Sequence, residues 1–404
     1  MTMSGYKFFT LTMTAALVFV LTGCTQTLDG TMLSGPPKPK LDTGNFPTTP
    51  QTIGPPKTPA DAWAQESWRM GDGVIAPWAI DAALEHQVAP LIGGVVVSPL
   101  FLFLNGPAAH PNARLFTDSQ GKVLVEYPFL GGFFSTAGDV PTPTRTLSIG
   151  MLRFSNADTA CHAMDLLTAG APTLPDGLPH IDGAKVLNTD GAGRPAGLEV
   201  ATLRGDLMMI VQATGDSNPH VADLAGKALK AQLVKSSDYH PTDYVGVGPL
   251  NVPMDVDRMV SRTLPNPTGN DDATVNGLSA DHDRSSGYMT PYAQALSSDG
   301  GPDSNFPLWG VDLEVVNDIE SLYRTSDPVA AEKMLIINSA EERPWQPIDG
   351  LPDTTARCWT FKDGSRDNVC GVRYGRYFAY LHGGSMALAK KAGAAAYLIL
   401  KNAG

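Results

Sequence analysis

Cys358 and Cys370 are the side chains whose type and spacing most directly specify a reaction. They stand symmetrically about Gly364, so a hairpin turning at Asp363-Gly364-Ser365 sets their thiols opposite each other on adjacent strands. In an exported chain such a pair closes as a disulfide, worth about 3 kcal/mol on the chain-entropy estimate for a loop of this size; two free thiols are the alternative. Cys161, beside His162 in an expected helix, reads as a buried structural thiol.

Other constellations stop short of a working site. Gly383-Gly384-Ser385 follows an expected strand and opens an expected helix, the setting of a serine nucleophile elbow. That arrangement needs an acid and a histidine later in the chain, and residues 386–404 hold neither, so Ser385 is read as a helix cap. Asp281-His282-Asp283 is the best cluster of metal-ligating types, but it lies in a polar run and is read as solvated charge. Gly71 to Ala76 and Gly191 to Ala196 match Gly-x-Gly-x-x-Ala, the fingerprint of a dinucleotide turn. Neither sits between a strand and a helix: Trp68-Arg69-Met70 precedes the first and Pro195 interrupts the second. His86, His110, His162, His180, His220, His240 and His382 are scattered singly. The expectation is no catalytic residue, no metal and no cofactor.

Cys24 carries a different chemistry. Lys7 precedes Phe8 to Leu21, a mostly apolar run of fourteen residues, which is the layout of a secretory leader. A membrane span needs about 20 apolar residues, so this run is too short for one. It ends in Leu21-Thr22-Gly23-Cys24, which resembles the bacterial lipobox, where the cysteine is diacylated and the chain is cut just before it. Two acyl chains hold a protein to a bilayer where one is marginal, because each buried methylene contributes about 0.8 kcal/mol. Residues 1–23 are thus expected to be a leader, Cys24 the lipidation site, and the body anchored at the outer face of the membrane.

The elements that must carry these residues can be read in order. Residues 24–60, rich in Pro, Thr and Gly, read as a tether. Residues 61–240 form an N-terminal domain that opens with helices at Asp61 to Met70 and Pro77 to Val88. Leu91 to Leu104 is an apolar run broken by Gly93-Gly94 and Pro99, read as a buried strand or loop, with a lipid-binding segment as the alternative. The rhythm sharpens from Thr146: strand Thr146 to Phe154, helix capped by Ser155 or Asn156 to about Ala169, and strand Ala184 to Asn188. A hairpin of Leu198 to Arg204 and Leu207 to Ala213 turns at Gly205-Asp206, and a helix runs from Asn218 to about Val234. Residues 241–286 are proline-rich and polar, with one helical candidate at Asp255 to Thr263, and read as a linker.

Residues 287–404 repeat the order: strand Asn317 to Thr325, helix Val329 to Asn338, strands Arg357 to Phe361, Val369 to Tyr374 and Arg376 to His382, and a helix capped by Ser385 running to Lys401. The expected fold is α+β, two small domains each built on a duplicated β-α-β-β-β-α unit with an antiparallel sheet.

Leu41-Asp42-Thr43-Gly44-Asn45-Phe46-Pro47-Thr48-Thr49-Pro50, Gly350-Leu351-Pro352, Arg357-Cys358, Cys370 and Ala394 to Leu400, behind the lipobox, resemble a family of mycobacterial-type actinobacterial lipoproteins of unknown function. The resemblance covers most of the mature chain through short motifs, implies that the paired cysteines belong to the family pattern, and brings no activity with it. A net charge of −12 without a basic run argues against nucleic acid. The expected function is a non-enzymatic, lipid-anchored envelope protein that binds an envelope lipid, glycan or protein partner. The alternatives are an exported hydrolase drawing on Ser385, Asp281 or His282, and a structural spacer.

Overall fold

The computed structural model describes residues 40–87, 94–96, 116–187, 197–246, 248–265, 287–297, 306–317, 319–340, 344–360 and 368–404. Among them the chain forms two antiparallel sheets with helices on both faces of each, an α+β architecture in two lobes. The first sheet holds β1 (His86–Gln87), β2 (Gly94–Val96), β3 (Phe129–Gly138), β4 (Thr146–Phe154), β5 (Lys185–Val186), β6 (Gly197–Arg204) and β7 (Leu207–Thr214), in the order β1-β3-β4-β7-β6-β5, with β2 also paired to β3. The second holds β8 (Gly287–Met289), β9 (Leu313–Val316), β10 (Glu320–Arg324), β11 (Ala356–Thr360), β12 (Asn368–Tyr374) and β13 (Tyr377–Gly383), in the order β11-β12-β13-β10-β9-β8.

Read from opposite ends, these orders are the same. β3-β4-β7-β6-β5 corresponds to β9-β10-β13-β12-β11, and both units run strand, helix, three strands, helix. The local chemistry repeats too. Asn156 caps α4 (Ala157–Leu167) by accepting the Thr159 amide at 2.8 Å. Asp327 does the same for α7 (Pro328–Ala340), taking the amides of Val329 and Ala330. The closing hairpin of each unit turns through two residues, with Gly205 (φ 63°) or Gly375 (φ 55°) first in the loop, a left-handed backbone that glycine adopts without a Cβ penalty. The duplication expected from the sequence is therefore present as topology.

Each sheet is covered twice. Residues Met208 and Ile210 face α4, whereas Met209 and Val211 face α5 (Asn218–Lys235), so β7 is buried throughout. In the second lobe Cys358, Cys370, Ala379 and Leu381 face α8 (Met386–Asn402), and Phe378 faces Met334 and Leu335 of α7.

Several expectations are corrected. The helix at Pro77 stops at Ile80 (α2, Pro77–Ile80), because Asp81 leaves helical geometry at φ −140° and turns its carboxylate to the Ala83 amide; His86 and Gln87 then pair with β3. Asn317 to Thr325 is a hairpin corner followed by β10, since the Asn317 side chain accepts the amides of Ile319 and Glu320 and closes a turn after β9. Asp255 to Thr263 makes two 3-10 turns, interrupted where Asp257 and Arg258 take positive φ. The sequence pattern also does not mark α3 (Asp118–Glu126), α6 (Pro291–Ser297), β8, β9 or β3, the last because its Gly131, Gly132, Ser135 and Thr136 give no alternation with both faces buried. Of Leu91 to Leu104, only β2 lies within the described residues.

The segment read as tether and linker is also more ordered than its composition suggests. Leu41 and Phe46 pack against the second lobe's core, Asn402 donates to the Thr48 carbonyl at 2.8 Å, and Gln51 bonds Ser261 and Thr263. Leu250 and Val252 pack with Ala62 of α1 (Pro59–Met70) and Leu130, and Met259 and Leu264 enter the second core. Residues 40–404 form one compact unit.

Candidate functional site

Cys358 and Cys370 are register partners on β11 and β12 and form a disulfide, fully buried between the second sheet and α8. The bond ties the outermost pair of strands in that sheet. Cys161 departs from expectation: it is exposed on the outer side of α4, because Ala160, Ala163 and Met164 supply that helix's buried stripe. Ser385 is the cap of α8, its Oγ accepting the Leu388 amide at 3.3 Å. Cys24 and the Asp281-His282-Asp283 cluster lie outside the described residues, as does His110.

The histidines are not brought together. His86 faces Glu85, His162 stacks on Tyr127, His180 bonds Asp182, His220 meets Arg145, and His382 packs against Tyr380. Among the described residues no three His, Cys, Asp or Glu side chains are grouped so as to hold a metal ion, and no helix is long and apolar enough to cross a membrane.

What the fold does assemble are buried ionisable groups that sequence spacing could not show. Glu66 on α1 is fully buried. Its Oε1 accepts from Arg153 Nη1 (2.6 Å), the Tyr239 hydroxyl (2.5 Å) and the Thr242 amide (2.8 Å), and its Oε2 from Arg69 Nη1 (2.5 Å) and the Thr242 hydroxyl (2.8 Å). Burial by itself would raise this carboxyl. The Tyr239 hydrogen bond, the Arg69 charge and the two Thr242 bonds together bring it below its ordinary value. Arg153 also reaches Asp206 and the Thr242 carbonyl. With every oxygen and guanidinium edge engaged, this node pins α1, β4 and the chain after α5 to one another. It has no free lone pair to offer a substrate.

Glu320 is the opposite case. It is 1% exposed at the start of β10, where its Oε2 accepts the Leu264 amide at 2.6 Å and its Oε1 has no hydrogen-bond partner among the described residues. Desolvation pushes this carboxyl up to about 8, with only the Leu264 hydrogen bond opposing. Asn317 donates to the Leu264 carbonyl at 2.8 Å, so the two side chains hold both backbone polar groups of one residue of the inter-lobe segment. A third polar feature crosses the first sheet. Thr136, Ser148, Gln212 and Glu199 are successive register partners on β3, β4, β7 and β6, all buried, and Gln120 of α3 donates to Glu199 at 3.0 Å.

The surface adds one apolar face. Val329, Ile336 and Ile337 of α7 are 62%, 41% and 51% exposed, on the side of the helix turned away from Met334 and Leu335.

No curated protein matches the chain. The extracellular domain of PknH from Mycobacterium tuberculosis is a solved structure with 9% sequence identity and a TM-score of 0.23, the match covering 42% of this chain and 96% of that one. Residues 53–248 match the N-terminal part, and residues 259–403 the C-terminal part, of a domain of unknown function, DUF7373, and together these matches place the chain in that family.

Proposed function

We propose that this chain is an exported, lipid-anchored cell-envelope protein of the mycobacterial type that works by binding rather than by catalysis. The Cys358–Cys370 disulfide is the observation that carries this reading. Disulfides persist in oxidising compartments and are rare in the cytosol, so a buried pair built into a sheet's register fits a protein that matures outside the inner membrane. Leu21-Thr22-Gly23-Cys24 then supplies the anchor, with two acyl chains on Cys24 holding the body at the outer face. Of the residues a hydrolase reading would recruit, Ser385 caps a helix, and the buried carboxylate of Glu66 is saturated with hydrogen bonds. The bare apolar face of α7 gives an envelope lipid, glycan or protein partner somewhere to land.

The test is metabolic labelling with a palmitate analogue in cells expressing the wild type or Cys24→Ala. The wild type should label and fractionate with membranes, and the variant should do neither. An unlabelled wild type overturns the proposal.

A further inference from the structure

The place where the tether reaches the folded body has a charge unlike that of the rest of the molecule. The described chain begins at Lys40, and residues 40–48 lie along α8 as a strap. Asp42 approaches Lys391 at 3.7 Å, a Cβ on Gly44 would lie 3.1 Å from the same lysine's side chain, and Thr48 receives the Asn402 amide further along the helix. Lys390, Lys391 and Lys401 are the only charged side chains on α8, which carries no Asp or Glu. With Lys40 they make four positive charges, against Asp42 on the strap, in a chain whose net charge is −12. Lys40 and Lys401 are exposed, and Lys391 is 41% exposed. An acidic loop, with Asp349 and Asp353, approaches α8 from its buried side, where Ile348 meets Gly393.

We propose that this strap-and-α8 face docks on the anionic lipid headgroups of the bilayer to which the chain is tethered. The inference rests on the lipid anchor at Cys24. From Cys24 to Lys40 is sixteen residues of chain, at most roughly 55 Å when fully extended, so the body stays close to the surface and the face beside the exit point meets it at high effective concentration. The acidic remainder of the body is repelled by the same surface. Each lysine held near an anionic surface contributes about 1 kcal/mol, a factor of about five, so two engaged lysines favour the docked orientation about 25-fold.

The experiment is lysine footprinting of the full-length mature protein, its acylation first verified by mass spectrometry, reconstituted through its own anchor. Two vesicle compositions are compared, pure phosphatidylcholine and phosphatidylcholine with about one-third phosphatidylglycerol. Acetylation of Lys40, Lys390, Lys391 and Lys401 should fall at least threefold on the anionic vesicles and recover in 1 M salt, while Lys227 and Lys230 on α5 stay unchanged. Equal labelling on the two vesicles overturns the proposal, and so does protection that is independent of lipid charge. Absence of the acyl mass defeats the anchor reading separately, before any footprint is taken.

Discussion

Glu320→Gln should gain stability relative to the wild type as pH rises. In the unfolded chain this carboxyl titrates at its ordinary 4.5, and in the folded chain at about 8. Below pH 4.5 both states hold the proton and the group contributes no pH dependence. Between 4.5 and 8 the folded state binds more protons than the unfolded one, so stability falls as pH rises, by 1.36 kcal/mol per pH unit, and the loss levels off above 8. Glutamine keeps an acceptor for the Leu264 amide and cannot ionise, but its NH2 group takes the position where Oε1 has no hydrogen-bond partner among the described residues, a penalty of about 1–3 kcal/mol that does not vary with pH. The informative quantity is therefore the growth of the gap between variant and wild type. Urea denaturation of both at pH 5, 6, 7 and 8 should show it widening in favour of Glu320→Gln by about 4 kcal/mol across the range. A gap constant to within about 1 kcal/mol from pH 5 to pH 8 refutes the assignment of Glu320 as a carboxyl kept neutral by burial.

Glu66→Ala should cost about 3–5 kcal/mol, because it leaves Arg153 buried without its carboxylate, and a urea midpoint within 1 kcal/mol of wild type would count against the node. The Glu66 carboxyl is lowered, so its contribution is complete above pH 4.5 and is lost as pH falls through its folded value; the wild type should lose stability on acidification below pH 4.5, and Glu66→Gln should show less of that loss. Reducing Cys358–Cys370, or replacing both cysteines with alanine, should lower stability by about 3 kcal/mol for a closure spanning 12 positions, read as a shift in the denaturation midpoint with and without reductant.

The parts of the fold that were legible are those where one residue decides the local geometry. Asn156 and Ser385 announce their helices because their side chains replace a missing backbone acceptor, and Gly205 and Gly375 announce their hairpins because the loop demands positive φ. Cys358 and Cys370 could be paired from symmetry about Gly364 alone. β3 could not be read, since a strand covered on both faces loses the alternation that marks a half-exposed one, and its Gly131-Gly132 looks like a loop. Cys161 is exposed, against expectation, because the buried stripe of its helix runs through Ala160, Ala163, Met164 and Leu167 and leaves positions 161 and 162 outside it. The polar nodes were invisible for another reason. Apart from Arg69 one helical turn on, Glu66 meets partners 87 to 176 residues away, and Glu320 meets Leu264 56 residues away, so local spacing does not signal the nodes.

The two lobes repeat one topology, yet they do not behave as beads on a string. β8 belongs to the second sheet by its backbone, pairing with β9, but Met289 and Val316 contribute their side chains to the first lobe's core. Gln65 of α1 donates to the Tyr288 carbonyl and accepts the Tyr288 amide, Thr290 donates to Asp72, and the Tyr292 hydroxyl reaches the Val74 carbonyl. Burial pushes the Asp72 carboxyl up despite the Thr290 bond. The chain crosses it in both directions: residues 40–48 dock on α8 of the second lobe before α1 enters the first, and residues 249–264 return to the second lobe through Leu264. A force applied at the N-terminal tether therefore loads the Leu41 and Phe46 contacts on the second lobe before it reaches α1. The disulfide, the clasp at Glu320 and the lysine face all belong to that same lobe. The lobe on which the described chain begins is thus the one given a covalent brace, and the first lobe is joined to it through the seam.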